Sequence, residues 1–502
     1  MAALMFENEF FSKNEGTLQE ATKTLVDIGC CTYCVLRFLG EKQLRFYRRN
    51  EKTQTEILIE QLYYGGKPVE NISRTEKPCI TCLGILQKYC TEAFSQKIIE
   101  KVKSSGYVFS TYFCSLMLPV SLIVRQHSVY LQLREKFSEM YHGISDDDIP
   151  AVKEVWKWHN GPILSEALGV AFNLKSPFEV HINFTYKHSD RECSFLTDFH
   201  PDIFRRRKTK KADWEMYSRA NVAKAVCDTV DSIYKRVYNF PPALPSDLAE
   251  CERISCQHDS VFIAGRYNKY SRLLSQTPWL IEGIKKHETS VQELICTPLM
   301  ERFQPVECKF SASGREDVDV KMLGNGRPFV IELVNPKKSD FTAEDFLQMQ
   351  KEINTSTKDI FIRDLQAVSR DEIANLKEGE IEKTKSYSAT CWSENCLSQD
   401  ELDTLSTSKD LVLLQKTPIR VLHRRPLASR QRIIHSISAK KIDDHHFRLQ
   451  LSTQAGTYVK EFIHGDFGRT QPNLSIIMKT ECDILELDVE SVDVDWPKQL
   501  NT

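Results

Sequence analysis

The carboxylates best placed to do chemistry stand together in a glycine-bounded stretch, SGREDVDVKMLGNGRPF, at residues 313–329. Its three acids are Glu316, Asp317 and Asp319. A carboxylate that is held beside a cation and shielded from water can stay ionised and act as a nucleophile or a base. The same composition is typical of a polar turn with local hydrogen bonds, and taken alone the stretch favours the turn. Its glycines do not form a nucleotide-binding loop, because they lead into a strand-like segment and no Lys-Ser/Thr pair follows.

Two pairs of cysteines have the spacing of metal ligands. Cys31 and Cys34 form one C-x-x-C motif, and Cys79 and Cys82 form the second. Four thiolates in two close pairs supply the tetrahedral sulfur set that structural zinc prefers, and paired cysteines in a reducing compartment suggest metal before disulfide. We therefore predict one structural zinc ion, with buried core thiols as the alternative. Cys30 competes with Cys31, but its spacing to Cys34 is the less usual one.

The segment PCITC, residues 78–82, also matches the P-C-x-x-C half of zinc-dependent nucleobase deaminases. That chemistry requires an upstream H-x-E or C-x-E motif, which supplies the third ligand and the proton-shuttling glutamate. The sequence has no such motif before Pro78 and therefore excludes a deaminase of this kind.

Three basic segments are candidates for contact with a polyanion. In GRYNKYSR, residues 265–272, bases alternate with tyrosines, which suits phosphate contacts combined with stacking on unpaired bases. RRRKTKK, residues 205–211, fits RNA binding, a nuclear import signal or a solvated loop equally well. Residues 416–432 contain six bases and no acid. The residues that we predict to bind RNA are Arg205, Arg206, Arg207, Arg266, Tyr267, Lys269, Arg272, Arg315, Arg424 and Arg425.

The composition is that of a soluble globular protein with a formal net charge of −2 over 502 residues. A chain of this length is expected to form two or three domains. Local basic segments on a nearly neutral protein suit selective docking of a polyanion better than bulk adhesion to one. The sequence shows no secretory signal and no membrane-spanning segment, so we expect no membrane partner.

Helical and strand-like patterns are interspersed along the chain. FEVHINFTYKH (178–188) alternates as a half-buried strand, and residues 90–106 form an amphipathic helix pattern that ends at Gly106. CQHDSVFIAGRY (256–267) reads as one more strand of the N-terminal half. Beyond residue 279, long alternating segments separated by helical ones predict an α+β fold on a mixed, largely antiparallel sheet. We place the boundary after SQTPW, with an N-terminal α+β domain at 1–279 and a second domain at 280–502.

Four segments of the C-terminal half together resemble a known family. SGREDVDVKMLGNGRPF, EKTKSYSA (382–389), TPIRVLHRRP (417–426) and QAGTYVKEFIHGDFGRT (454–470) are similar to motifs of the archaeal and eukaryotic Pus-ten family of tRNA pseudouridine synthases. GRYNKYSR, SQTPW and the paired C-x-x-C motifs extend the resemblance into the N-terminal half. The resemblance implies a pseudouridine synthase fold for residues 280–502. For residues 1–279 it implies an accessory RNA-binding domain with a THUMP module and a zinc site.

The resemblance assigns four residues to an active site. The family's catalytic aspartate follows G-R-x, which places it at Asp317 rather than at Asp319. The tyrosine that packs against the target uracil lies in K-x-Y and falls on Tyr387, and the cation beside the aspartate lies in G-T-Y-[IV]-[RK] and falls on Lys460. Related enzymes often have arginine at this last position, and lysine cannot form arginine's bidentate fork. An apolar residue at the floor of the pocket matches Leu485.

The resemblance also implies a function, which is isomerisation of uridine to pseudouridine in the T-loop of tRNA. The expected partners are the tRNA T-arm and other structured RNA. The reaction breaks a C–N glycosidic bond and forms a C–C bond without redox or phosphate transfer, so we expect no catalytic cofactor and a purely structural zinc ion. A non-catalytic RNA-binding or RNA-processing scaffold is the alternative. We further expect a monomer, located in the nucleus and the cytoplasm.

Overall fold

The structure is a computed structural model that describes residues 15–47, 56, 59, 62, 63, 77–205, 215–373, 384–423 and 425–500. The chain divides into two compact units, Met1–Gln257 and His258–Thr502. This division precedes the boundary that we placed after Trp279. The difference arises because CQHDSVFIAGRY is not one strand: its first residues end a strand of the first unit, and its last residues belong to a strand in the sheet of the second unit.

The first unit combines helices with a four-stranded sheet. Its described helices are α1 Glu15–Asp27, α2 Thr32–Phe38, α3 Ile85–Tyr89, α4 Glu92–Ser105, α5 Ser121–Lys136, α6 Val152–Leu168, α7 Ser189–Cys193, α8 Phe195–Phe199, α9 Pro201–Phe204, α10 Arg219–Asp228 and α11 Asp231–Val237. Its strands are β1 Thr111–Met117, β2 Ala171–Phe172, β3 Phe178–Thr185 and β4 Glu250–His258. They lie in the order β2-β1-β3-β4, and β1 is parallel to both β2 and β3.

Local sequence signals explain two elements of this unit. Helix α4 is capped at its N-terminus by Thr91, whose hydroxyl accepts a hydrogen bond from the backbone N–H of Phe94, and at its C-terminus by Gly106 in the left-handed conformation. Strand β3 buries every second side chain from Phe178 to Phe184, as its alternation predicts. Both predictions are confirmed.

The second unit is built on one large sheet. Its strands are β5 Val261–Lys269, β6 Leu280–Ile281, β7 Ile284–Lys285, β8 Glu307–Ala312, β9 Lys321–Val334, β10 Ile360–Val368, β11 Thr384–Ser393, β12 Lys409–Lys416, β13 Ser429–Lys441, β14 His446–Gln454, β15 Thr470–Gln471 and β16 Cys482–Val492. Its described helices are α12 Val291–Phe303, α13 Ala343–Ser356, α14 Gln399–Leu405, α15 Val459–His464 and α16 Leu474–Met478, and a 3-10 turn spans Ile419–Val421.

The large sheet has the order β10-β5-β9-β16-β11-β14-β13-β12-β15, with β8 paired to β9, while β6 and β7 form a separate hairpin. Strands β9 and β16 are parallel, and the other registered pairs of this sheet in the described part of the chain are antiparallel. The predicted mixed, largely antiparallel sheet is confirmed. Helix α12 packs its buried side chains, among them Ile295, Leu299 and Phe303, into the core of this unit. None of the helices described in either unit is long and apolar enough to span a bilayer.

Candidate active site and cysteine cluster

The loop that carries Asp317 connects β8 to β9 and is anchored by a buried ion pair. The Glu316 carboxylate has no exposure to solvent, and it accepts hydrogen bonds from Arg327 Nε at 2.7 Å and from the Tyr267 hydroxyl at 2.7 Å. Arg327 also donates through Nη1 to the backbone carbonyl of Ser313 at 2.7 Å. A buried charge pair of this kind is tolerated when further hydrogen bonds satisfy its polar atoms, and the Tyr267 hydroxyl and the Ser313 carbonyl supply such bonds here. Glu316 therefore shapes the loop and is not available as a reagent.

A second buried group, Lys269 on β5, fixes the backbone of the same loop. Its ammonium donates to the carbonyl oxygens of Leu274 at 2.9 Å, Asp317 at 3.2 Å and Val318 at 2.7 Å. The side chain is fully buried, and this burial lowers the pKa of Lys269 to about 8. All three donors of the ammonium are thus used, two of them on the loop at Asp317 and Val318 and one on the segment that follows β5.

The carboxylate of Asp317 is partly exposed and faces two cations. Arg420, in the 3-10 turn, donates through Nη1 to Asp317 Oδ2 at 2.9 Å, and Lys460 Nζ lies 3.6 Å from the same oxygen. Lys460 is closer to Asp319, at 2.7 Å and 3.0 Å from its two oxygens. Burial alone would raise the pKa of Asp319, but the Lys460 ammonium holds it below its ordinary value. The structure brings Asp317 and Lys460 together as expected, yet the shorter contact of Asp317 is with Arg420.

Tyr387 on β11 lines the same cavity as Asp317, and burial raises the pKa of its phenol. Leu485 does not line it: the residue is 57% exposed, and the apolar residues of β16 that line the cavity are Leu487 and Val489. The prediction for Leu485 failed because strand β16 contains a bulge. Thr390 pairs with Glu486 and Cys391 with Ile484, so Leu485 is an extra residue and the alternation of faces is interrupted there.

The cavity around Asp317 measures about 470 Å³, within the range of roughly 300–1,000 Å³ typical of ligand sites. Glu316 and Asp317 are the only acids in its lining among the described residues. Its cations come from the β8–β9 loop, β9, β11, the segment between β12 and β13, β13 and α15: Arg315, Arg327, Lys385, Arg420, Arg425, Arg430, Arg432 and Lys460. One partly exposed carboxylate, a tyrosine and a surplus of positive charge suit a reaction on a flipped-out base with phosphates held around it.

In the first unit, the four predicted cysteine ligands converge. The sulfur atoms of Cys31, Cys34, Cys79 and Cys82 all lie within 4.8 Å of one another. Cys79 Sγ accepts the backbone N–H of Cys31 at 3.2 Å, and Cys34 Sγ accepts Arg37 Nη1 at 3.4 Å. Donors aimed at sulfur stabilise the thiolate form, whereas burial raises the pKa of the Cys82 thiol. The cluster can therefore hold a metal ion, and it contains Cys31 as predicted.

The local fold brings each cysteine pair to the start of a helix. Cys31 is the residue before α2, and the turn Cys79–Cys82 leads through Gly84 into α3. Gly84 has φ of +81°, and a Cβ there would lie 2.1 Å from Leu248 Cδ2. The positive φ favours glycine at this position, so the residue type at Gly84 suits the turn from the second C-x-x-C motif into α3.

Comparisons with known proteins agree across both units. Residues 262–493 match the family model described as Pus10, C-terminal, and residues 79–256 match the model described as Eukaryotic Pus10, N-terminal. The tRNA pseudouridine synthase Pus10 of Xenopus laevis is 44% identical over 97% of this chain and 99% of the relative. The chain belongs to the Pus10 family. Membership of this family makes it a pseudouridine synthase, an RNA-modifying isomerase, and confirms the family predicted from the motifs.

Two further matches complete this comparison. The tRNA pseudouridine synthase Pus10 of Homo sapiens is 47% identical over 84% of this chain and 79% of the relative. Among solved structures, a Cbf5-Nop10-Gar1 complex covers 45% of this chain and 48% of its own, with 14% identity and a TM-score of 0.25.

Within this Pus10 family member, GRYNKYSR is not an exposed RNA-binding segment. Arg266 is buried and donates to backbone carbonyls at residues 325–326 and 492–496. Tyr267 and Lys269 are fully buried in the contacts with the loop of Asp317 described above. Arg272 donates to the carbonyls of Asp319 and Leu487 and pairs with Asp488 at 2.8 Å. The prediction of RNA contacts is corrected for all four residues, because their polar groups are already used inside the protein.

The other predicted RNA contacts have different positions. Arg315 and Arg425 are exposed and line the cavity of Asp317. Arg205 is exposed in the first unit. Arg206, Arg207 and Arg424 lie outside the described residues.

Sequence reasoning missed four polar residues at the cavity. Arg420, Arg430 and Arg432 line it, and Glu461 on α15 accepts a hydrogen bond from Arg420 Nε at 2.7 Å. The three arginines belong to the basic run at 416–432, so the run itself was a usable signal. The sequence contained no signal for Glu461 beyond its place after Lys460. Only the fold shows that its side chain is buried against Arg420.

Proposed function

We propose that this Pus10 family member converts uridine to pseudouridine in the T-loop of tRNA, with Asp317 as the nucleophile or base. The main observation in support is that Asp317 and Tyr387 line one cavity whose other charged side chains are almost all cationic. The T-loop supports this choice of substrate because extracting a base from its stack costs a few kcal/mol and is easiest where the base is already strained. The relatives of this chain are named tRNA pseudouridine synthases.

Each residue of the cavity has a distinct role in this proposal. The cations beside Asp317 hold its carboxylate in a fixed orientation. The ring of Tyr387 packs against the detached uracil, so that the base turns and re-adds through C5 instead of escaping. Arg315 and Arg425, exposed at the edge, bind phosphates and position the flipped nucleotide without reading its sequence.

Tritium release from a T-loop transcript containing 5-tritiated uridine tests this function. We expect release with the wild type and none with Asp317→Asn, which preserves shape but removes the charge. Asp319→Asn is the matched control, since it changes a carboxylate of the same loop that contacts Lys460 more closely, and it should retain measurable release. No release by the wild type on any structured tRNA would instead support the alternative of a non-catalytic RNA-binding scaffold.

We further propose that the cysteine cluster of the first unit holds one structural zinc ion. With Zn–S bonds of about 2.3 Å, a tetrahedral site separates its sulfur atoms by about 3.8 Å. Cys31 Sγ lies 3.8 Å from Cys82 Sγ, which matches this spacing. Metal analysis should find one zinc per chain, lost on the double change Cys31→Ser and Cys79→Ser. Cys227→Ser, at an exposed thiol of the same unit, should retain it, and full retention in the double variant would refute the site.

For the rest of the first unit we propose an RNA-binding role, with a THUMP module that grips the same tRNA. The chain is proposed to act as a monomer in the nucleus and the cytoplasm, with the basic run at 205–211 as the import signal. Changing that run to alanines should deplete the nuclear pool of a tagged full-length chain, and an unchanged distribution would remove the run from the proposal.

A further inference from the structure

Arg420 occupies a position that no sequence motif assigned to it. Its guanidinium bridges two carboxylates, with Nη1 at 2.9 Å from Asp317 Oδ2 and Nε at 2.7 Å from Glu461 Oε1. The side chain of Glu461 is 2% exposed, whereas that of Asp317 is 32% exposed. An ionised carboxylate is costly to bury unless it is paired, and Arg420 is the cation that pairs with Glu461 here. Glu461 therefore fixes Arg420 from inside the protein, and the other end of the guanidinium contacts the carboxylate of Asp317.

The backbone around Arg420 is held to the same region. The N–H of Ile419 donates to Asp466 Oδ2 at 3.2 Å, and Arg469 donates to the carbonyl of Thr417. Asp466 and Arg469 follow α15, the helix that carries Lys460 and Glu461. Helix α15 and its exit thus position both cations of Asp317, Lys460 directly and Arg420 through Glu461.

The contacts also distinguish the two oxygens of Asp317. Arg420 and Lys460 both approach Oδ2, and no group of the described chain donates a hydrogen bond to Oδ1. A carboxylate held through one oxygen presents the other to a substrate in a defined direction. Lys460 divides its charge between Asp317 and the nearer Asp319, so it cannot supply this orientation alone.

We propose that Arg420, anchored by Glu461, is a positioning residue that holds Oδ2 of Asp317 so that Oδ1 faces the target uridine. Arginine suits this role because its planar guanidinium presents donors to two carboxylates in fixed directions, whereas the three donors of a lysine rotate about one nitrogen. Arg420 provides the guanidinium contact that the lysine at position 460 does not. The role rests on the proposed function of Asp317 in pseudouridine formation.

Rate measurements on the full-length chain with the tritiated T-loop transcript test this role. Arg420→Ala should lower kcat by about 100-fold, the loss expected when a reacting group is misplaced by about 1 Å. Methylguanidinium added to this variant should restore part of the lost rate, because it can occupy the vacated position between the two carboxylates. Arg425→Ala is the matched control from the same basic run, and its loss should appear in KM because Arg425 lines the cavity without touching Asp317.

A second variant separates positioning from stability, because Arg420→Ala leaves Glu461 buried and unpaired. In the double variant Arg420→Ala with Glu461→Gln the buried charge is gone, so the thermal midpoint should recover while kcat stays low. Recovery of kcat in the double variant would overturn the role, and so would a loss in Arg420→Ala confined to KM. Absence of tritium release by the wild type would overturn the proposed function itself, and with it this role.

Discussion

Two basic segments of the second unit have similar compositions and opposite positions. In GRYNKYSR, the cations Arg266 and Lys269 are buried and donate to backbone carbonyls. In the run at 416–432, Arg420 and Arg425 are exposed and line a cavity. Both segments looked like RNA contacts in the sequence. The sequence shows where the cations are. The fold decides whether a cation forms hydrogen bonds within the protein or is free to contact a ligand.

The physical reason for the difference is the element that carries each segment. GRYNKYSR lies largely in β5, an inner strand of the sheet with β10 and β9 on its two sides, so its side chains project into packed surroundings. The run at 416–432 leaves β12 at Lys416 and forms a turn before β13 begins at Ser429. A turn between strands exposes its side chains, whereas a strand inside a sheet buries them on at least one face.

The largest effect is expected at Lys269. Lys269→Ala removes the donor of the carbonyls of Leu274, Asp317 and Val318 and leaves the buried one at Leu274 unpaired. This should destabilise the second unit by about 3 kcal/mol, the upper end of the 1–3 kcal/mol expected for an unsatisfied buried group. The rate of pseudouridine formation should fall together with the stability of this unit. Calorimetric unfolding of the full chain measures the change, and an unaltered transition combined with a raised KM would restore the interpretation of Lys269 as an RNA contact.

The same lysine predicts a dependence of stability on pH. Its pKa is about 8 in the folded chain, below the value of about 10.5 for a free lysine, so the unfolded chain binds more protons between these values. The stability of the wild type relative to Lys269→Met should therefore rise from pH 8 to pH 10.5, because burying the ammonium costs free energy only while it is charged. Denaturant titrations across this window measure the difference, and a flat or falling curve would contradict it.

A smaller and different effect is expected at Arg425. Arg425→Ala should leave unfolding within about 0.5 kcal/mol of the wild type, as for most surface substitutions. It should weaken tRNA binding and reduce the salt slope of log K by about one, the value for one lost phosphate contact. Binding titrations at several salt concentrations test this, and an unchanged slope would remove Arg425 from the RNA-binding surface.

The smallest effect is expected at Tyr270, an exposed ring that follows β5 directly. If GRYNKYSR is structural throughout, Tyr270→Ala should change neither stability nor tRNA affinity by more than about 0.5 kcal/mol. Base–aromatic stacking would be worth about 1–3 kcal/mol. A loss of affinity of that size in the same titrations would show that part of the segment does bind RNA.

The sequence by itself determined the family, the loop of Asp317 and the four cysteines of the cluster. These features are local: a motif such as G-R-x-D or C-x-x-C places its residues through covalent spacing, whatever the rest of the chain does. The alternation of β3 and the capping of α4 were predictable for the same reason, since both depend on neighbours within a few residues.

Only the tertiary structure decided which cations contact Asp317 and which residues form the floor of its cavity. Arg420 is 103 residues from Asp317 in the chain, so their contact exists only once the loop after β8 and the turn after β12 meet. Leu485 was displaced from the floor by a bulge that depends on the register with β11. Lys269 became structural because β5 is an inner strand of the sheet. Strand register and side-chain burial depend on pairing between distant parts of the chain. The local sequence around a residue therefore does not reveal them.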